Sequence, residues 1–153
     1  MAPNYAIQLL SWHKAQMLAR AIRHCVFVEE QCIPEELEWD EWDALSIHAV
    51  AVLLPGSAIA TGRLLPVDAA GVIRLGRMAV LKPWRNCGVG SAILCTLLAD
   101  ARKSNVHEIV LHAQITAASL YRKHGFSECG GTFLEAGIPH VEMRLVCHDF
   151  DHG

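Results

Sequence analysis

No two of the six cysteines in this 153-residue chain, at 25, 32, 87, 95, 129 and 147, form a C-x-x-C pair, and Cys147-His148 lacks a second ligand pair at zinc spacing. That excludes a structural zinc site, no metal is expected, and the cysteines read as small buried hydrophobes. Nor is there a basic run to follow a phosphate backbone. Thirteen Lys and Arg against 16 Asp and Glu leave a net charge of −3, which argues against nucleic acid as the main partner. The most apolar stretch, Ala49 to Ala60, is cut by Pro55-Gly56 too early to span a bilayer. The N-terminus lacks the basic-then-apolar pattern of an export signal, so a cytoplasmic protein without a membrane partner is expected. Repeats, low-complexity segments and long linkers are missing too, and residues 1–153 read as one domain. What is plentiful is apolar material, 52% of residues, enough for a single well-buried core.

Periodicity predicts an alternation of strands and helices. Tyr5 to Leu10 alternates as a strand, Ser11 is placed as an N-cap, and Ala15, Leu18, Ala19, Ile22 and Val26 form a helical stripe that Pro34 prevents from continuing. Ile47 to Leu54 and Ala58 to Leu65 read as a hairpin around Pro55-Gly56, and Val72 to Val80 as the next strand. Val89, Ile93, Leu94, Leu97, Leu98 and Ala101 then recur on one helical face. Glu108 to Ala113 makes a strand, Ala117 to Lys123 a short helix ended by Gly125, and Ser127 to Phe133 with Val141 to Val146 a closing antiparallel pair.

Between the strand and the long helix lies Arg85-Asn86-Cys87-Gly88-Val89-Gly90. Glycines leave the backbone open to a ligand, and the free N–H groups of a helix's first turn point at whatever docks there, so a pyrophosphate suits this loop. Two glycines in an ordinary strand-to-helix turn would look the same. A dinucleotide fold needs G-x-G-x-x-G, but after Gly90 the next glycine is Gly125; an ATPase loop needs Lys then Ser or Thr, but Ser91-Ala92 follow. A phosphate cradle without metal machinery is left.

At these residues the chain resembles the GNAT superfamily of acetyl-CoA-dependent N-acetyltransferases, whose acyl-carrier motif Q/R-x-x-G-x-G/A is matched by Arg85, Gly88 and Gly90. A second signature follows in order: Gln114, Ala117, Leu120-Tyr121 and Gly125-Phe126. Val26-Phe27-Val28-Glu29-Glu30-Gln31, Leu111-His112-Ala113-Gln114 and Phe133 to His140 are similar to the ElaA-type branch. The resemblance covers nearly the whole chain. It implies an α/β fold with a mixed, mostly antiparallel central sheet flanked by helices, and a homodimer as family expectation.

It also implies roles. The CoA pyrophosphate is expected against Arg85, Asn86, Cys87, Gly88, Val89, Gly90 and Ser91. The pantetheine arm is expected to pair with Met78, Ala79 and Val80 as an added strand, with Gln114 and Ala117 nearby. The Met78 N–H is the candidate donor to the thioester carbonyl, and Tyr121 the candidate donor to the departing thiolate, although a buried strand and a core tyrosine are the plainer alternatives. Cys87 is expected to be reactive and shielded by CoA. Some family members carry Glu four residues before the position of Met78; here it is Arg74, so no base transfers. Glu29, Glu30, His112, His140, Glu135 and a water chain to solvent remain as candidates. Eight acidic residues and no Lys or Arg lie between Glu29 and Asp43, with Trp39 and Trp42 among them. They form either a solvated loop or an anionic, aromatic-walled mouth for a cationic acceptor such as a polyamine, an aminoglycoside-like compound or a peptide amine. A non-catalytic acyl-CoA sensor or partner module would carry the same motifs, and an acyl-homoserine lactone synthase would share the acyl-carrier motif.

Overall fold

The computed structural model describes residues 4–54 and 56–147. Seven strands form one sheet in the order β1-β2-β3-β4-β5-β7-β6: β1 Tyr5–Ser11, β2 Ile47–Leu53, β3 Ser57–Leu64, β4 Val72–Val80, β5 Glu108–Gln114, β6 Ser127–Glu135 and β7 Ile138–Val146. All neighbours are antiparallel except β4 and β5. The helices are α1 Trp12–Arg23, α2 Glu35–Glu38, α3 Val89–Ala101 and α4 Ala118–Lys123. The mixed, mostly antiparallel sheet agrees with the expected α/β architecture. Pro55 lies outside the described residues, and so does His148.

Residues 49 to 51 of β2 are all buried, so the alternation of a half-exposed strand is lost. Helices cover both faces here. Ala49 and Ala51 pack with Ile93, Leu94 and Leu97 of α3, while Val50 packs with Ala15, Ile22 and Phe27 on the α1 side. Each large apolar side chain fully buried in this way contributes about 1.5–3 kcal/mol.

Four local departures from the sequence expectations matter. The helix after Ser11 continues past Arg23 as a π-helical segment, His24–Glu30, in which Gln31 N donates to Val26 O, five residues back. Ser11 precedes α1 but makes no side-chain capping bond. The last hairpin is longer than expected, turning at Ala136-Gly137, both with positive φ. The cysteines are not buried: Cys25, Cys32, Cys87 and Cys95 are exposed, and Cys129 and Cys147 half-buried. Cys147 still packs against the main core, and composition alone does not reveal which cysteines the fold leaves outside it.

Candidate active site

β4 and β5 pair only from Val72 to Arg74 against Glu108 to Val110. Beyond Arg74 the two strands part, and Leu75 to Val80 have no strand partner on that side among the described residues. A bulge helps to open the gap. Thr61 faces Ala79 while Arg63 faces Gly76, so β4 carries one residue more than β3, and Arg77 takes a left-handed φ of 51°. The resulting cleft has a volume of about 1250 Å³ and is walled by β4, β5, the loop before α3, α4 and the segment after the π-helical turn.

At one end of the cleft α3 begins. Gly88 is its N-cap, with φ 82° and ψ 2°, and no side chain caps it. An added Cβ would have open space at Gly88 and ordinary contacts at Gly90, 3.5 Å from Val80 Cγ2. Gly88 is therefore required by backbone conformation and not by crowding. The uncapped N–H groups of the first turn face the cleft mouth with the positive end of the helix dipole. Asn86, with φ 62°, together with Gly88, Gly90 and Ser91, lines the same end. Ser91 Oγ lies 3.0 Å from His124 Nε2. Cys87 points to solvent, and Val89 buries its side chain in the core. The Arg85 guanidinium is already engaged: Nη1 and Nη2 donate to Glu30 at 2.7 and 2.8 Å, and Nε donates to Val80 O at 2.9 Å. Their hydrogen bonds hold the Glu30 carboxyl below, and the Arg85 guanidinium above, their ordinary ranges.

Deeper in, Met78, Ala79, Val80, Gln114, Ala117 and Tyr121 line the walls. Met78 packs over Gly62, where a Cβ would come within 2.6 Å of its sulfur. Tyr121 is 6% exposed and meets Phe126 edge to face at 6.0 Å; burial lifts its phenol far above the ordinary tyrosine range. It therefore keeps its proton at neutral pH. Gln31 and Gln114 exchange side-chain amide bonds of 2.8 and 3.3 Å across the cleft, a bridge no spacing in the sequence could reveal.

The C-terminal part of the acidic segment is a structural clamp. Arg23, 1% exposed, donates to Glu38 at 2.6 Å and to Asp43 at 2.7 Å. Arg63 donates to Asp40 at 2.6 and 2.8 Å and to Asp43 at 3.0 Å, and Arg77 to Asp40 at 3.2 Å. Burial pushes Asp40 and Asp43 up, but the bonds and charges of these arginines outweigh it and leave both carboxyls below the ordinary range. Glu30 is held by Arg85 and Glu29 by His24. Arg20 and Arg23 stack on Trp39 at 5.4 and 5.0 Å, so that ring already has cations on it. Arg63 Nε is the one buried side-chain polar atom without a partner among the described residues.

Strand alternation sets the opposite wall. Gln114 and His112 of β5 face His140 and Glu142 of β7 in register, and Phe133 of β6 faces His140. Glu135 Oε1 is 2.8 Å from His112 Nδ1, and Glu135 Oε2 is 3.8 Å from His140 Nε2. Among the described residues, no three His, Cys, Asp or Glu side chains converge as a metal set, and no helix is long and apolar enough to cross a membrane.

A family model described as the acetyltransferase (GNAT) domain matches residues 51–147. The chain belongs to the GNAT acetyltransferase family. It is 38% identical over 123 residues to the uncharacterized N-acetyltransferase YjcF of Bacillus subtilis, covering 80% of this chain and 86% of that protein. Among solved structures, an acyl-CoA N-acyltransferase from Pseudomonas aeruginosa superposes with a TM-score of 0.77 at 28% identity, over 94% of this chain and 99% of that one. Escherichia coli ElaA shares the fold, with a TM-score of 0.82 at 23% identity over 92% and 99% of the two chains. As a GNAT protein the chain is an N-acetyltransferase, of a type that takes an acyl-CoA as donor and an amine as acceptor.

Proposed function

We propose that the donor is acetyl-CoA, bound in the gap between β4 and β5, and that its acetyl group passes directly to a primary amine entering from the His112, Glu135 and His140 side. The observation that carries this reading is the splay of two parallel strands beside an uncapped helix N-terminus. The main chain of Arg85, Asn86, Cys87, Gly88, Val89, Gly90 and Ser91 offers its amides to the pyrophosphate, whose charge the α3 dipole favours. Cys87 and Val89 contribute backbone only, since their side chains point elsewhere. The unpaired edge at Met78, Ala79 and Val80 accepts the pantetheine arm as an added strand, with Gln114 and Ala117 across the gap. The Met78 N–H polarises the thioester carbonyl, and the Tyr121 hydroxyl hands a proton to the departing sulfur.

Because Glu30, Glu38, Asp40 and Asp43 are matched by arginines and Glu29 is bonded to His24, a preference for a cationic acceptor rests on Glu35, Glu36, Glu41 and the cleft-wall Glu135. Calorimetry with acetyl-CoA followed by thiol release with cationic, neutral and anionic amines tests the whole reading. Saturable binding and amine-dependent thiol release are expected. A well-folded protein that gives no heat with acetyl-CoA or CoA would sink it, and turnover confined to neutral or anionic amines would reject the cationic acceptor alone.

A further inference from the structure

An acceptor amine reaches the site mostly as an ammonium, since a free alkylamine has a pKa of about 10.4, and it must lose a proton before it can attack. The carboxylates nearest the pyrophosphate end are unsuited to take it. Glu30 is held by two bonds from Arg85, and Glu29 is exposed, bonded to His24 and absent from the cleft wall. His140 is different. It lines the cleft, and its side chain is 9% exposed. Phe133 stacks on the ring with centroids 6.1 Å apart. Nδ1 lies 2.6 Å from Ile138 O, a carbonyl that can only accept, so Nδ1 carries a hydrogen and the neutral form of the ring has its lone pair on Nε2. Nε2 lies 3.8 Å from Glu135, whose other oxygen meets His112, and both Glu135, 45% exposed, and His112, 36% exposed, reach solvent more freely than His140 at 9%.

Resting on the acetyl-transfer reading above, we propose that His140 Nε2 is the catalytic base for the acceptor, and that Glu135 and His112 carry its proton to solvent. The N–H bond of the ammonium breaks and its proton goes to Nε2. The freed nitrogen pair forms the C–N bond to the thioester carbonyl, and the C–S bond breaks with its electrons on sulfur. The remaining excess proton on nitrogen reaches the thiolate, through the Tyr121 hydroxyl or directly. The charged ring attracts the Glu135 carboxylate, now beyond hydrogen-bond range at 3.8 Å, and the proton leaves through it. In sum, an ammonium and an acetyl thioester give an N-acetyl amine, a thiol and a proton.

Replacing His140 with Asn keeps an N–H donor for Ile138 O and removes the basic nitrogen. Thiol release would be followed at pH 7 with n-butylamine, an ammonium at that pH, and with O-methylhydroxylamine, which is neutral there, after subtraction of the enzyme-free rate. H140N should lose about 100-fold or more in kcat/KM with n-butylamine and stay within about threefold with O-methylhydroxylamine, because the base term applies to the first alone. Acetyl-CoA affinity by calorimetry should be unchanged, which shows the variant to be folded. Equal loss with both amines, no loss with either, or a wild-type enzyme that uses only the neutral amine overturns the role of His140. A wild-type protein that neither binds acetyl-CoA nor releases thiol overturns the acetyl-transfer reading itself, and this proposal with it.

Discussion

Under the proposed acetyl transfer, Tyr121 has two requirements to meet in one side chain: it must lie beside the acyl carrier, and it must keep its proton until a thiolate appears. Position on α4 at the cleft wall meets the first, and burial, by lifting the phenol, meets the second. Tyr121→Phe retains the ring and its edge-to-face contact with Phe126 but removes the proton. Turnover with any accepted amine should fall about tenfold or more, a modest part of the 10²–10⁴ typical of acid–base catalysis, with acetyl-CoA affinity nearly unchanged. Stopped-flow or steady-state thiol release alongside calorimetry separates the two quantities, and undiminished turnover with chemistry rate-limiting would remove the hydroxyl from the mechanism. The residue could be singled out in the sequence by its place before Gly125-Phe126. Its burial could not, because a tyrosine on a short helix has no periodicity long enough to show which face is covered. The same limit explains the cysteines, whose apolar character suggested burial while their positions left most of them exposed.

At the scale of elements, the two glycines of the loop before α3 have unequal tasks, and the structure separates them. Gly88 holds a left-handed φ of 82°, which costs an L-residue roughly 1–2 kcal/mol, whereas Gly90 lies in the helix with room for a methyl group. Gly88→Ala should therefore re-aim the first-turn amides and weaken acetyl-CoA binding by about tenfold, equivalent to about 1.4 kcal/mol, while Gly90→Ala stays within about threefold. Calorimetry on both variants decides it; equal losses would mean that the glycines serve closeness to the ligand and not backbone shape. Most elements were legible because their apolar residues recur at the period of a strand or a helix, and β4 was placed from Val72 to Val80 without adjustment. What periodicity does not encode is where two strands stop pairing. The end of the β4–β5 ladder at Arg74, the bulge at Arg77 and the π-helical segment through Glu30 are tertiary outcomes, and together they make the cleft. The candidate bases could be named but not ranked from the sequence, since the grouping of His112, Glu135 and His140 depends on β5, β7 and β6 lying side by side.

Across the whole molecule, the acids of residues 38–43 fasten their loop to three separate elements, through Arg23 of α1, Arg63 of β3 and Arg77 of β4. Read alone, the acidic run suggested either a solvated loop or an open mouth; the arginines that hold Glu30, Glu38, Asp40 and Asp43 lie 15 to 55 residues away, so the sequence could not show that these acids are paired. Asp43→Asn would leave Arg23 and Arg63 as buried charges short of a counterion and should cost about 3–5 kcal/mol of stability, measured by urea unfolding. The same region sets the acid response in two stages. His48 is 1% exposed and donates from Nε2 to Asp43 O, and burial holds its imidazole below the ordinary histidine range. The unfolded chain takes up a proton there near pH 6.5, and the folded chain does not until lower pH, so the unfolded state binds more protons and stability falls as pH drops below about 6.5. Asp40 and Asp43 act later. Held below the ordinary range, they contribute stability that is complete above about pH 4 and is lost as pH falls further through their folded values. Urea midpoints from pH 8 to pH 3 should therefore decline in two steps. In Asp43→Asn the lower step should shrink while the upper one persists, because His48 keeps its bond to the main-chain carbonyl. A flat profile between pH 7 and pH 5, or an unchanged lower step in the variant, would show that this network is not what acid undoes.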